Sequence, residues 1–268
     1  MPDLRFALNH MAAPRLHPEA FLALAGEVGA DAVEFRNDLP GNAILDGTPA
    51  ARLGALAEAA GVGILSINAL QRFEDWRAPR PSEAAALADY AQGCGAKAIV
   101  LVPSNDGSAP DRLITALEGL RAILAPRRLL GLVEPLGFAA SAVRQKRAAV
   151  AAIDAIEGWD TFRLVHDTFH HHLAGEDELF PARTGLVHIS GVAEPGLAAG
   201  EMRDAHRGLV TGADRLGNLA QIRAFLDGGY SGHFSFEPFS AEVRDLDRPA
   251  EAIRQSIRTI REGLSVAA

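Results

Sequence analysis

Eight short runs of Val, Ile, Leu and Phe recur along the chain, bounded by turn residues and too continuously apolar for strands with one wet face. They are Phe6–Asn9, Ala32–Arg36, Gly63–Asn68, Ala98–Val102, Leu130–Glu134, Phe162–Asp167, Leu186–Ser190 and His233–Glu237. Their starts lie 26, 31, 35, 32, 32, 24 and 47 residues apart, the size of a strand, its crossover and the return to the next strand. Crossovers of that length join parallel neighbours, whereas antiparallel ones need only a tight turn.

The crossovers carry helix punctuation. Pro18–Val28 has Pro in its first turn and Gly29 past its end, and Pro49–Ala60 stops at Gly61, the asymmetry expected of helix ends. Ser82 is expected to cap a helix over Glu83–Cys94, Ser141 to cap one running to about Glu157, and a further helix covers about Leu219–Asp227. Thr168–Leu173 is too short and polar for a full outer helix, so the sixth crossover is expected to be a loop with a turn of helix. The long Gly-rich, charged stretch from Ser190 to His233 suits a functional loop. No GxGxxG or GxxxxGK[ST] phosphate loop follows any strand, and no Pro/Ser-rich linker divides the chain. The fold class is therefore α/β, a single (β/α)8 TIM barrel domain over residues 1–268.

Charge then narrows the partners. With 26 Lys+Arg against 34 Asp+Glu the formal net charge is -8, the wrong sign for tracking a nucleic-acid backbone. The single cysteine, Cys94, offers neither an internal disulfide nor a thiolate cluster, which fits a reducing compartment. Neither a basic-then-apolar leader nor a run of roughly 20 apolar residues is present. The expectation is a cytoplasmic protein acting on small molecules, without nucleic-acid or membrane partners and compatible with a homo-oligomer.

Glu134, Asp167 and Glu237 each end a strand and His188 lies near the end of the one between, so four ligand-type residues come from four consecutive strands. In such a barrel, strand ends at that face point into the mouth, where active sites are built. Three carboxylates in a partly dry pocket repel one another unless they bind protons or share a cation. Three carboxylates and an imidazole make a mostly oxygen site suited to Mn²⁺, Mg²⁺, Co²⁺ or Zn²⁺. At other strand ends, Asn9, His10, Glu34, Arg36 and Asn68 are candidates to line the pocket, with a Glu34–Arg36 salt bridge as the plainer alternative. In the long loop, Arg203 is the first candidate for orienting substrate oxygens, ahead of His206 and Arg207. Phe73 and Trp76 either wall the pocket or pack their loop. Arg144 and Lys146 are expected to be solvated.

The stretches Leu132-Val133-Glu134-Pro135, His166-Asp167-Thr168-Phe169-His170, Val187-His188-Ile189-Ser190 and Phe236-Glu237-Pro238 resemble the xylose isomerase-like TIM barrels of the sugar isomerase and epimerase superfamily. Leu8–Pro14, Val33–Leu39, Met202–Arg207 and Asp214–Asn218 extend the likeness nearly end to end, and within the superfamily it is closest to the 2-keto-myo-inositol (inosose) isomerases. The resemblance implies one divalent metal on Glu134, Asp167, His188 and Glu237, with Glu134 and Glu237 also exchanging protons with substrate. It places His170 on a substrate oxygen. The implied activity is isomerisation of inososes, 2-keto-myo-inositol to a 1-keto-chiro-inositol, through an enediolate in inositol catabolism. Inosose dehydration or ketose 3-epimerisation would use the same groups, and an apurinic-site endonuclease or a non-catalytic sugar-binding barrel is a more distant alternative.

Overall fold

A computed structural model describes residues 4–39, 44 and 47–266. Eight parallel strands close on themselves in sequence order: β1 Arg5–Asn9, β2 Ala32–Arg36, β3 Gly63–Gln71, β4 Ala98–Val102, β5 Leu130–Val133, β6 Phe162–Asp167, β7 Thr184–Ile189 and β8 His233–Phe236. Closure is made by β8 against β1, pairing Arg5 with His233 and Leu8 with Phe236. The expected barrel is the observed one. Around it run α1 Pro18–Val28, α2 Ala50–Ala60, α3 Arg80–Gly93, α4 Leu113–Leu124, α5 Lys146–Ala155, α6 Thr168–Ala174, α7 Asn218–Asp227, α8 Ala241–Arg244 and α9 Pro249–Val266.

Alternation along each strand divides the core. Outward residues such as Phe6, Leu8, Val33, Phe35, Ile99, Leu101, Leu164, Val187, Phe234 and Phe236 pack with the helices in one large cluster. Inward residues Ala98, Val100, Leu132, Val165 and Leu186 form a separate small cluster with Ala69. The inward parity of β1, β2, β3 and β8 is instead polar: Asn9, Glu34, Ser66, Asn68 and Ser235 are all buried. One side of the barrel bore is apolar and the other is built for hydrogen bonding.

Several local expectations change. Ser82 lies inside α3 and its hydroxyl donates to the Pro79 carbonyl (2.6 Å), so it caps nothing. Ser141 donates to the Val143 carbonyl, and α5 starts later, where the Glu176 carboxylate accepts the Lys146 and Arg147 N–H groups (3.0 Å each). A carboxylate from across the chain thus does the capping. The sixth crossover is a seven-residue helix whose N-cap is Asp167. Lys146 is not solvated: it is buried between Glu176 Oε2 (3.1 Å) and His171 Nδ1 (2.7 Å). Arg144 is exposed as expected, while it donates to the Gly137 and Leu173 carbonyls. Phe73 lies in the core, and Trp76 lies flush on α4, where a Cβ on Gly119 would fall 2.4 Å from the indole. Both pack their loop. Among the described residues, no helix is long and apolar enough to cross a membrane.

Candidate metal centre at the barrel mouth

β5 and β8 end one residue before their glutamates, yet Glu134 N–H donates to the Leu101 carbonyl and Glu237 N–H to the Ile189 carbonyl, both at 3.0 Å. Each glutamate is therefore held in strand-like register, its side chain turned into the bore. Asp167 ends β6 and caps α6, its Oδ1 accepting from Phe169 N (2.7 Å) and His170 N (3.0 Å). That fixes the carboxylate plane and leaves Oδ2 facing the site. His188, on β7, completes the group.

One ligand atom from each of Glu134, Asp167, His188 and Glu237 lies within 4.8 Å of all the others, and all four residues are buried. His188 Nδ1 is 2.8 Å from Glu134 Oε1, 3.3 Å from Glu237 Oε2 and 4.0 Å from Asp167 Oδ2. An ion with ligands at about 2.0–2.2 Å sets them up to roughly 4.4 Å apart, so closing on one needs shifts of a few tenths of an ångström. Hard oxygens plus one imidazole fit a divalent cation such as Zn²⁺, Mn²⁺, Co²⁺ or Mg²⁺.

The two glutamates differ sharply. Glu237 Oε1 accepts from Asn9 Nδ2 (3.1 Å), Arg36 Nη1 (3.0 Å) and Asn68 Nδ2 (3.3 Å), and Oε2 from Arg207 Nη2 (2.9 Å). Burial alone would raise this carboxyl, but His188, Arg207 and Arg36 hold it far below the usual range. Among the described residues the Glu134 carboxylate has only His188 as a hydrogen-bonding partner. Burial, with the negative charges of Glu237 and Asp167, pushes its carboxyl up to about 7 despite His188. Burial would lower the His188 imidazole, yet the carboxylates of Glu237, Glu34 and Glu134 raise it well above its ordinary value.

Other candidates fall into distinct places. Glu34 does not pair with Arg36: it sits beneath His188, near Ser66 and Ser235. Arg36 chelates Asp38 (2.8 and 2.6 Å) while reaching Glu237. Asn9 and Asn68 both hold Glu237. His10 packs away from the mouth, its Nε2 2.8 Å from the Leu16 carbonyl and its ring stacked on Phe21. His170 is buried and packs in a T-shaped contact with Phe138, and among the described residues its Nδ1 has no partner.

Arg203 lies at the surface, whereas Arg207 is buried. Arg203 is exposed and donates to the Gly200 and Met202 carbonyls, lining a cleft of about 420 Å³ with Phe138, Arg144, Leu173, Met202 and Asp204. Arg207 is the buried one, bridging Asp167 Oδ2 (2.5 Å) and Glu237 Oε2 with one Nη2, while Nη1 reaches Asp204 (3.1 Å) and Nε the Ser190 hydroxyl (3.1 Å). Its guanidinium lies over Phe169 and Phe239. Ser66 and Ser235 were the residues the sequence reading passed over, and Arg207 was ranked behind Arg203. Small polar residues at inward positions of apolar strands were the available signal for the serines.

A family model described as the xylose isomerase-like TIM barrel matches residues 22–263. A xylose isomerase domain-containing protein of Salmonella typhimurium LT2 is 32% identical, with 99% of this chain and 98% of that one covered and a TM-score of 0.87. The IolI protein, solved with a zinc atom bound, is 20% identical over 98% and 99% of the two chains, at a TM-score of 0.85. D-psicose 3-epimerase of Clostridium cellulolyticum H10, solved with D-tagatose, is 14% identical over 97% and 99%, at 0.74. No curated protein matches the chain in sequence. The match over most of the chain and the closed eight-stranded barrel together show that this protein belongs to the xylose isomerase-like TIM-barrel family.

Proposed function

We propose that the chain is a divalent-metal-dependent isomerase of keto-polyols, acting on inososes by moving a carbonyl to the neighbouring carbon. The observation that carries this reading is the convergence of four buried ligand residues, two of them glutamates of opposite character. Likeness to IolI with zinc and to a ketose 3-epimerase supports it. The adjoining cleft has a volume within the range of about 300–1,000 Å³ usual for small-molecule sites.

Glu134, Asp167, His188 and Glu237 would hold the cation, which supplies Lewis-acid stabilisation of negative charge on neighbouring carbonyl and hydroxyl oxygens. The remaining work belongs to the chain. Glu134 has lone pairs that only His188 engages among the described residues, so it would take and return the carbon-bound proton. Glu237 is saturated with donors and stays ionised, a fixed carboxylate on the opposite side. Arg207 supplies a permanent positive charge next to Asp167 and Glu237. His170, buried against Phe138, is the residue that the family resemblance would put on a substrate oxygen.

The test is incubation of the cation-loaded protein with 2-keto-myo-inositol in D₂O. Isomer formation with carbon-bound deuterium is expected, and absence of both refutes the reading. Loss of water identifies a dehydratase instead, and an inverted centre with the ketone in place identifies an epimerase.

A further inference from the structure

We infer that Glu34 is the positioning residue of the metal centre: a buried carboxylate that holds His188 Nε2–H from below and so presents Nδ1, with its lone pair, to the ion. The inference rests on the proposed metal centre and concerns a residue that touches neither ion nor substrate. His188 Nε2 lies 3.1 Å from Glu34 Oε1 and 3.2 Å from Oε2, a contact shared by both oxygens. Nδ1, on the other side of the ring, is the nitrogen facing Glu134, Asp167 and Glu237.

Glu34 is itself locked. Ser235 Oγ donates to Oε1 (2.6 Å), Ser66 Oγ to Oε2 (2.7 Å), and Asn9 Nδ2 reaches Oε1 at 3.5 Å. Glu34, Ser66, Ser235 and His188 are each 0% exposed, so water cannot replace any of these bonds. A buried carboxylate accepting from two hydroxyls and an imidazole is ionised and rigid. An imidazole that donates one N–H to a carboxylate has its other nitrogen fixed as the ligand and made more basic, an arrangement whose loss typically costs about 10–100-fold in metal affinity. The four residues come from β2, β3, β7 and β8 at adjacent inward positions, so the barrel closure itself assembles the support.

The variants are Glu34→Gln, which keeps an acceptor but no charge, and Glu34→Leu, which keeps neither. Co²⁺ is titrated into the cation-free proteins by absorption and chelator competition, with circular dichroism to show that each is folded. Long-range ¹H–¹⁵N spectra then report the His188 tautomer in the Zn²⁺-loaded forms. The expected result is a dissociation constant raised about tenfold in the Gln variant and about 100-fold in the Leu variant, with an altered cobalt spectrum. The His188 Nε2–H resonance of the wild type is expected to shift in the Gln variant and to lose its tautomeric purity in the Leu variant. Wild-type affinity, cobalt spectrum and tautomer in a folded Leu variant would overturn the role of Glu34 while leaving the metal centre standing. Failure of the wild-type chain to bind Co²⁺ at all overturns both.

Discussion

Arg207→Met removes a buried positive charge while keeping an apolar stem between the Phe169 and Phe239 rings. In the cation-free protein, Asp167 Oδ2 and Glu237 Oε2 then lose a shared donor, at 2.5 and 2.9 Å, in a place 0–3% exposed at the side chains. Removing one partner of a buried charge cluster costs about 3–5 kcal/mol, because the remaining charge cannot be hydrated. For 268 residues the unfolding entropy is about 0.56 kcal/mol/K, so the melting temperature should fall by about 5–9 °C. A saturating divalent cation replaces the lost charge, and binding to the folded form alone adds RT ln(1 + [L]/Kd). The variant should therefore gain more than the wild type from added Zn²⁺ or Mn²⁺. Calorimetric melts of both proteins, with and without cation, measure the two gaps. A cation-free variant melting within about 1 °C of the wild type refutes the claim that Arg207 offsets the carboxylates, since that gap is well under 1 kcal/mol.

Glu134→Gln should lower kcat/KM for the inosose by about 10²–10⁴-fold, the range for a lost acid–base group, and abolish solvent deuterium exchange by the same assay. Gly137→Ala places a Cβ 2.1 Å from the His170 carbonyl oxygen and 2.8 Å from Ala174 N, forcing α6 to move. It should cost about 1–3 kcal/mol and reduce turnover, whereas Gly200→Ala, with nothing within 4 Å of the new Cβ, should do neither; denaturant titration and initial rates distinguish them. Asp106 accepts from Ser108 and from Arg72 Nη1 (2.7 Å), which lowers its carboxyl from 3.8 to about 2. A depressed carboxyl stabilises the fold above its unfolded value of 3.8, and that contribution is lost as pH falls through about 2. A ¹³C titration should show the low midpoint in the wild type and a higher one in Arg72→Ala; a wild-type midpoint near 3.8 refutes it.

The barrel was legible because a parallel strand buried on both faces must be apolar along its length, and eight such runs at crossover spacing leave few topologies. The grouping of Glu134, Asp167, His188 and Glu237 was legible because they sit at or near the ends of those runs, where an apolar strand gives way to charged residues at the mouth. Glu134 and Glu237 fell one residue outside the assigned strands without harm, since their N–H groups still bond the neighbouring strands. Arg207 was not legible. It lies 19 residues past His188 in an irregular loop, where no periodicity says which of Arg203, His206 and Arg207 turns inward. The loop returns beside the segment just past β7 through the Gly191–Gly208 bridge, which brings the neighbouring Arg207 to the mouth. Capping failed for a similar reason: Ser141 was close in sequence, but the carboxylate that serves α5 comes from Glu176.

The unequal glutamates follow from what the flanking strands turn inward. Glu237 follows β8, which pairs with β1, and the inward polar residues of β1, β2 and β3 supply Asn9, Arg36 and Asn68 to one of its oxygens. Glu134 follows β5, whose neighbours β4 and β6 turn Val100 and Val165 into the bore. Neither valine can donate a hydrogen bond, so the charge on Glu134 is solvated only by His188 and the more distant arginines. A carboxylate in that position favours its protonated form until a cation or a substrate oxygen arrives, whereas its counterpart holds its charge throughout. The difference between the two carboxyls is thus set by the side chains of the strands on either side, not by the glutamates themselves, and the proposed division between a proton carrier and a fixed anion rests on it.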